Sequence, residues 1–380
     1  MVSRRIFLSG LSALAALPAW AIKARAEDNP AKAVIERAVA AFLATCPQSV
    51  GLSIGLYQAG KIHRFHFGHV APGVEAAPTS QTLYPIASIT KTFTGTLLAQ
   101  GQLEGRLRLD DDIRKYLDGD YPNLAFEDHH IRLCDLVDHR SGLPFLLPDR
   151  PDTRPGPAAS GAYTAHIAEV EKTYTRQDFY ADLHKVTLSG VPGQNFQYSN
   201  TGAMLAGYIL ERIYGQSYEA LLKIKITGPL GMSDTTITLS PSQAKRTVKG
   251  YDAIGTVMPD NTDAIQAAGA IKSTLDDMMI YAAWQVAEND PAVRLSHQSF
   301  TGAGSYQAGL NWQMLTGDKG RVIWQSGNIE GFNSYCIVEP EIKLGLVALF
   351  NQADDQSNPA HGVLVNTILK GIAPEAVLLP

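Results

Sequence analysis

Apolar positions recur at helical spacing through residues 31–45, AKAVIERAVAAFLAT, where Val34, Ala38, Ala41 and Phe42 align with Ile35 and Val39 beside them. The period then changes. VGLSIGLYQAGKIHRFHFGHV reads as two strands joined at QAGK, a hairpin signal. Near the other end RVIWQSG, NSYCIVEP and KLGLVALFN read as three more strands, and SNPAHGVLVNTILKGI as a closing helix with Pro359 near its start. From about 86 to 290 the apolar pattern is mostly helical. IRLCDLVDHRSGLP predicts a helix stopped by Gly142, TGAMLAGYILERIYG one ending at Gly215, and STLDDMMIYAAWQVA one capped by Ser273 or Thr274. Residues 147–161, LPDRPDTRPGPAASG, hold four prolines and predict a surface loop or insertion.

Both ends of the chain thus supply strands with helices beside them, and the centre supplies helices. The expected fold is α/β (α+β): an antiparallel sheet of five or more strands, flanked by helices, with an inserted all-helical domain. The expected sheet domain takes residues 27–85 plus 300–380 and the helical domain 86–299. The cleft between them is the expected place for a site.

The first 26 residues follow another logic. Ser3-Arg4-Arg5 followed by Phe7-Leu8 resembles a twin-arginine export signal, and the apolar run to Trp20 is short and broken by Pro18. AWA, ending at Ala21, and ARA, ending at Ala26, are both cleavage candidates. The expected location is periplasmic or extracellular, with no membrane span once the signal is removed.

Composition narrows the function classes. The chain of 380 residues is 45% hydrophobic and 18% charged, with net charge -5. No general attraction to nucleic acid or anionic membrane follows from that balance. Cys46, Cys134 and Cys336 are odd in number and widely spaced, and read as buried free thiols. His63, His66 and His69 would alternate between strand faces and could not converge on one metal. DHH at 128–130 reads as a wet turn and DDD at 110–112 as a helix cap.

Candidate chemistry begins at Ser88 and Lys91. The i, i+3 spacing puts both on one helical face, which continues through Thr92, Gly95 and Ala99. Small residues invite close packing, and a desolvated lysine loses its proton more easily. Lys91 would then accept a proton from the Ser88 hydroxyl near neutral pH. By itself the tetrapeptide reads as well as an N-cap serine followed by a solvated lysine. A second copy, Ser242 to Lys245, lies in a polar stretch and reads as exposed loop. Tyr198 and Asn200 precede a helix in FQYSNTG. A nearby ammonium would lower the phenol and let Tyr198 act as base, while Asn200 offers an amide or serves as N-cap. The strand ending in Gln325-Ser326-Gly327 offers a backbone edge for a ligand, or simply begins a turn. The N–H groups of Ser88 and Asn328 are candidates for an oxyanion hole.

The order S-x-x-K, Y-x-N, x-[ST]-G resembles the class C β-lactamase family, which includes D-alanyl-D-alanine peptidases and many serine esterases. SITKTFTGTLLAQGQLEGRLRLDDDIRKYL, DHRSGLP, PGQNFQYSNTG, GPLGMSDT and GFNSY agree with it, over about residues 31–372. The resemblance implies Ser88 as nucleophile, Lys91 and Tyr198 as the proton-handling pair, and Asn200 as partner of the substrate amide or the lysine. It implies Gln325, Ser326 and Gly327 as the third motif, no cofactor, and a small-molecule or short-peptide substrate. The family commonly opens that motif with lysine, or histidine in several relatives. Gln325 carries no charge, so an ester or neutral amide gains ground over a carboxylate-bearing β-lactam. A relative that acylates without turning over, acting as a penicillin or peptidoglycan sensor, is the alternative.

Overall fold

The computed structural model describes residues 30–45, 51–154, 161–260, 263–300, 306–317, 320–354 and 357–380. The expected export signal, Cys46 and part of the Pro-rich stretch lie outside the described residues. The sheet has seven strands: β1 (Gly51–Gln58), β2 (Lys61–Gly68), β3 (Tyr306–Ala308), β4 (Gln313–Gly317), β5 (Gly320–Ile329), β6 (Phe332–Glu339) and β7 (Leu344–Phe350). Their order is β2-β1-β7-β6-β5-β4-β3, antiparallel throughout, with Ile54 opposite Ala348 and Cys336 opposite Gln325. β1 closes the two ends of the chain into one sheet. The five expected strands are present; β3 and β4 were not expected, being short and carrying few apolar residues.

The helices that bear on the site are α1 (Pro30–Thr45), α2 (Thr90–Leu103), α3 (Leu133–Val137), α4 (Gly161–Thr173), α5 (Asn200–Tyr214), α6 (Leu275–Ala287) and α7 (Asn358–Ile372). Alternation along β1 sorts the two cores. Leu52, Ile54 and Leu56 are fully buried and pack with Ile35, Val39 and Phe42 of α1 and with Leu364 and Ile368 of α7. Each such side chain contributes about 1.5–3 kcal/mol. On the other face, α6 lies close against Gly55 through Met279 and Leu275. Thr274 caps α6 by accepting from the Asp277 N–H, and Gly215 ends α5 in the left-handed conformation.

Several local expectations are corrected. The helix after Ile131 ends at Val137, well before Gly142, because His139 already adopts a left-handed φ of 62°. Ser242 to Lys245 begins in a short helix, Pro241–Ala244, held by a capping box from Ser240. His129–His130 pairs with Ala125–Phe126 as a two-residue hairpin and is no simple turn. Asp112 does cap the following 3-10 turn, through the Arg114 N–H. Cys134 and Cys336 are buried and free. Among the described residues no helix is long and apolar enough to cross a membrane.

Candidate active site

Ser88 sits in a 3-10 turn, Ala87–Ile89, that leads directly into α2. Pairing of Leu83–Pro85 with Lys272–Thr274 and the bond from the Ile86 N–H to the Ile271 carbonyl fix the entry. Ala87 holds a left-handed φ of 47°, a strained setting for a residue with a β-carbon. Ser334 Oγ donates to the Ile86 carbonyl at 2.9 Å and keeps the segment against the sheet.

Lys91 follows on the first turn of α2 and is fully buried. The small face read from the sequence is the reason. A β-carbon on Gly95 would meet the Leu310 carbonyl oxygen at 2.0 Å, so the segment before β4 lies directly on the helix. Asn311 Nδ2 donates to the Lys91 carbonyl at 2.8 Å. Burial lowers the Lys91 amine from 10.5 to about 7. Its Nζ lies 2.9 Å from Ser88 Oγ and donates to the Ala268 carbonyl at 2.6 Å. With the proton shed, the amine still donates to Ala268 and turns its lone pair to the serine hydroxyl.

Tyr198 arrives from the extended piece before α5, and its Oη donates to Ser88 Oγ at 2.7 Å. Lys91 Nζ stands 5.0 Å from the centre of its ring. The phenol is not lowered as the sequence suggested. Burial pushes it well above its ordinary value, and its hydrogen bonds with Ser88 and Gln325 only partly oppose that. Tyr198 therefore stays protonated, and Lys91 is the group that titrates near neutrality. His139, packed on the Tyr198 ring with centroids 4.3 Å apart, accepts from the Ser199 N–H. Burial, then the charge on Lys91, hold that imidazole down at about 3, so it adds no second cation.

Asn200 is not the cap of α5. Ser199 accepts from the Gly202 N–H in that role, and Asn200, first in the helix, faces the cleft. The lysine contact conceived for Asn200 is taken by the Ala268 carbonyl. Ser326 and Asn328 line the cleft from β5. The two-residue turn Glu330-Gly331 makes Ile329 and Phe332 the closing pair of β5 and β6. Alternation from that pair leaves the main-chain groups of Ser326 and Asn328 pointing away from β6, toward the cleft. Gly327 has another purpose than ligand approach. A β-carbon there would lie 2.5 Å from the Ile86 carbonyl oxygen and 2.8 Å from Ala87 Cβ, so the missing side chain lets the Ser88 segment rest on β5.

Gln325 is buried, and its position is fixed by groups the sequence did not single out. Gln313 Nε2 donates to Gln325 Oε1 at 2.8 Å, and Tyr306 Oη donates to Gln313 Oε1 at 2.9 Å. Gln325 therefore has its amide N–H end left for Tyr198. A chain of neutral hydrogen bonds runs from Tyr306 through Gln313 and Gln325 to Tyr198 and Ser88, at the place where the family commonly carries a cation. Ser88, Tyr198, Asn200, Gln313, Gln325, Ser326 and Asn328 border one cavity of about 470 Å³, within the usual range for a small-molecule site.

A family model described as Beta-lactamase matches residues 35–368. The chain belongs to the beta-lactamase family. Members of this serine hydrolase family that it resembles include a beta-lactamase of Escherichia coli (strain K12), 25% identical over 355 residues, 82% of this chain and 86% of that one. Protein flp of Staphylococcus aureus (strain N315) is also 25% identical over 317 residues, with 79% of this chain but only 59% of flp covered. The solved beta-lactamase/D-alanine carboxypeptidase from Yersinia pestis, complexed with citrate, superposes with a TM-score of 0.72 at 25% identity, covering 90% of this chain and 99% of that one. The seven-stranded antiparallel sheet with its helices is that beta-lactamase fold.

Proposed function

We propose that this protein is an exported serine hydrolase that forms an acyl-enzyme on Ser88 and acts on esters or neutral amides. The observation that carries the reading is Ser88 Oγ within hydrogen-bond reach of both a Lys91 amine at about 7 and a protonated Tyr198 phenol. The neutral amine takes the serine proton as Oγ attacks the carbonyl carbon. The oxyanion gathers between the main-chain N–H groups of Ser88 and Asn328. Tyr198 passes a proton to the departing alcohol or amine and is resupplied by the ammonium of Lys91. Water then enters, loses a proton through the same pair, and releases the acid. Asn200, Ser326 and the Gln325 amide hold the substrate in the cleft. The twin-arginine-like segment supports a periplasmic or extracellular site of action.

The test incubates mature protein with a fluorophosphonate, simple esters, cephalosporins and D-Ala-D-Ala peptides. Intact mass should show one adduct, on Ser88, and esters should turn over in the steady state. A burst of acylation with no turnover on any substrate would make the protein a sensor; no adduct at all would remove the nucleophile.

The neutral third motif gives a second expectation. Gln325→Lys places an ammonium beside Tyr198, and kcat/KM for carboxylate-bearing substrates should rise about tenfold or more. Matched steady-state assays check it. An unchanged response to the carboxylate would show that position 325 does not read substrate charge.

A further inference from the structure

We infer that Gln313 is a positioning residue: its amide turns an N–H of Gln325, and not the carbonyl oxygen, toward Tyr198, and so keeps the Tyr198 proton on Ser88. The inference rests on the Ser88 acyl-transfer reading and goes on to the residue that sets the direction of its hydrogen bonds.

Counting protons outward from the nucleophile fixes each direction in turn. Ser88 directs its one O–H at the neutral Lys91 amine, so toward Tyr198 its Oγ can only accept. The O–H of Tyr198 is therefore the donor across the 2.7 Å to Ser88 Oγ. With that hydrogen committed, Tyr198 Oη can only accept from Gln325. Gln325 must then present its N–H end to the phenol and turn Oε1 away. The bond between them acts to lower the phenol, the effect of a donor on that oxygen. Gln325 is buried, and its Oε1 takes a hydrogen from Gln313 Nε2 at 2.8 Å. Gln313 is left with Oε1 outward, where Tyr306 Oη donates to it at 2.9 Å. Burial raises the Tyr306 phenol, so this last donor keeps its hydrogen.

The two strands hidden in the apolar pattern supply the outer half of the chain. Gln313 opens β4 beside β5, and Tyr306 comes from β3 at the sheet edge. The Tyr306 ring meets Trp324 and Phe196 edge-on, with centroids 6.1 and 6.0 Å away. The two ends of a primary amide are nearly equal in shape, so packing alone does not choose between its orientations. The neighbouring donors and acceptors do. With the Gln325 carbonyl toward the phenol, Tyr198 would donate to it. The departing group of the substrate would then compete with Gln325 for that proton.

Gln313→Glu tests the inference, because it keeps the shape and removes the donor. The new carboxylate only accepts, from Tyr306 on one oxygen and from a turned Gln325 amide on the other. Tyr198 then gives its hydrogen to Gln325 Oε1. Phenyl butyrate and p-nitrophenyl butyrate share an acyl group and differ in need: phenolate is the poorer leaving group and departs with a proton, whereas p-nitrophenolate departs as an anion. Above the Lys91 step at about 7, kcat/KM for the phenyl ester should fall about tenfold or more, and for the p-nitrophenyl ester about threefold or less. The two are compared within one preparation, so lost folded material moves both alike. In a Gln325→Met background the same change should move neither ester by more than about twofold, because the amide it acts through is gone. An equal fall for the two esters, no fall, or a selective fall that survives in the Gln325→Met background overturns the inference. Failure of the serine reading looks different: the wild-type protein then takes no fluorophosphonate and turns over neither ester.

Discussion

Ser88→Ala is expected to abolish fluorophosphonate labelling and to lower ester turnover by about 10⁴-fold or more, the scale on which serine hydrolases lose activity with their nucleophile. The geometry makes the effect specific. Lys91 and Tyr198 both direct their polar atoms at Ser88 Oγ, from 2.9 and 2.7 Å. Without the oxygen they have no common partner and no proton to move. Ile86, just before the turn, keeps its N–H bond to the Ile271 carbonyl and still accepts from Ser334 Oγ, so the fold should survive the change. Intact-mass labelling and initial-rate assays check both halves. Residual turnover above about 1% of wild type would mean that a different group, or a bound water, attacks the substrate.

The sheet was legible where alternation was strong. In β1, Leu52, Ile54 and Leu56 mark one face without ambiguity, and β7 is apolar throughout because it is buried on both sides. β3 and β4 were hidden because YQA and QMLTG contain too few apolar residues to show a period. The approach of Lys91 to Ser88 was legible because helical spacing reports a shared face, and Gly95 reports how closely a neighbour can come. What spacing cannot report is which distant segment arrives. The Ala268 carbonyl on Lys91, the imidazole of His139 on Tyr198 and the Gln313 amide on Gln325 all come from such segments. The Tyr198 phenol was misjudged for the same reason. A nearby amine was inferred from sequence as a charge, whereas burial neutralises that amine and raises the phenol as well.

Lys91→Met should separate stability from catalysis, because the two make opposite demands on this position. Methionine fills nearly the same volume without a charge, so the buried site no longer has to strip a proton or bury an ammonium. The fall from 10.5 to about 7 corresponds to about 5 kcal/mol of cost to the folded state. Losing the bond to the Ala268 carbonyl returns about 1–3 kcal/mol of that, which leaves a net gain of about 2–4 kcal/mol. The sign with pH follows from the proton count. Below about 7 both folded and unfolded chains keep the lysine proton, and the cost is fully present. Between about 7 and 10.5 the unfolded chain still binds it while the folded chain has released it, so the wild-type protein gains stability as pH rises. The advantage of Lys91→Met over wild type should therefore be greatest at pH 6 and should shrink steadily toward pH 10. Activity runs the other way. Wild-type kcat/KM should climb tenfold per pH step below about 7 and level off above it, as the amine becomes free to accept the Ser88 proton. In Lys91→Met the rate should fall by about 10³-fold or more and the step near 7 should vanish. Urea unfolding and initial rates, each from pH 5 to 9, read the two effects on the same samples. A variant less stable than wild type at pH 6, or a wild-type rate that ignores pH near 7, would show that Lys91 keeps its proton and that some other group activates Ser88.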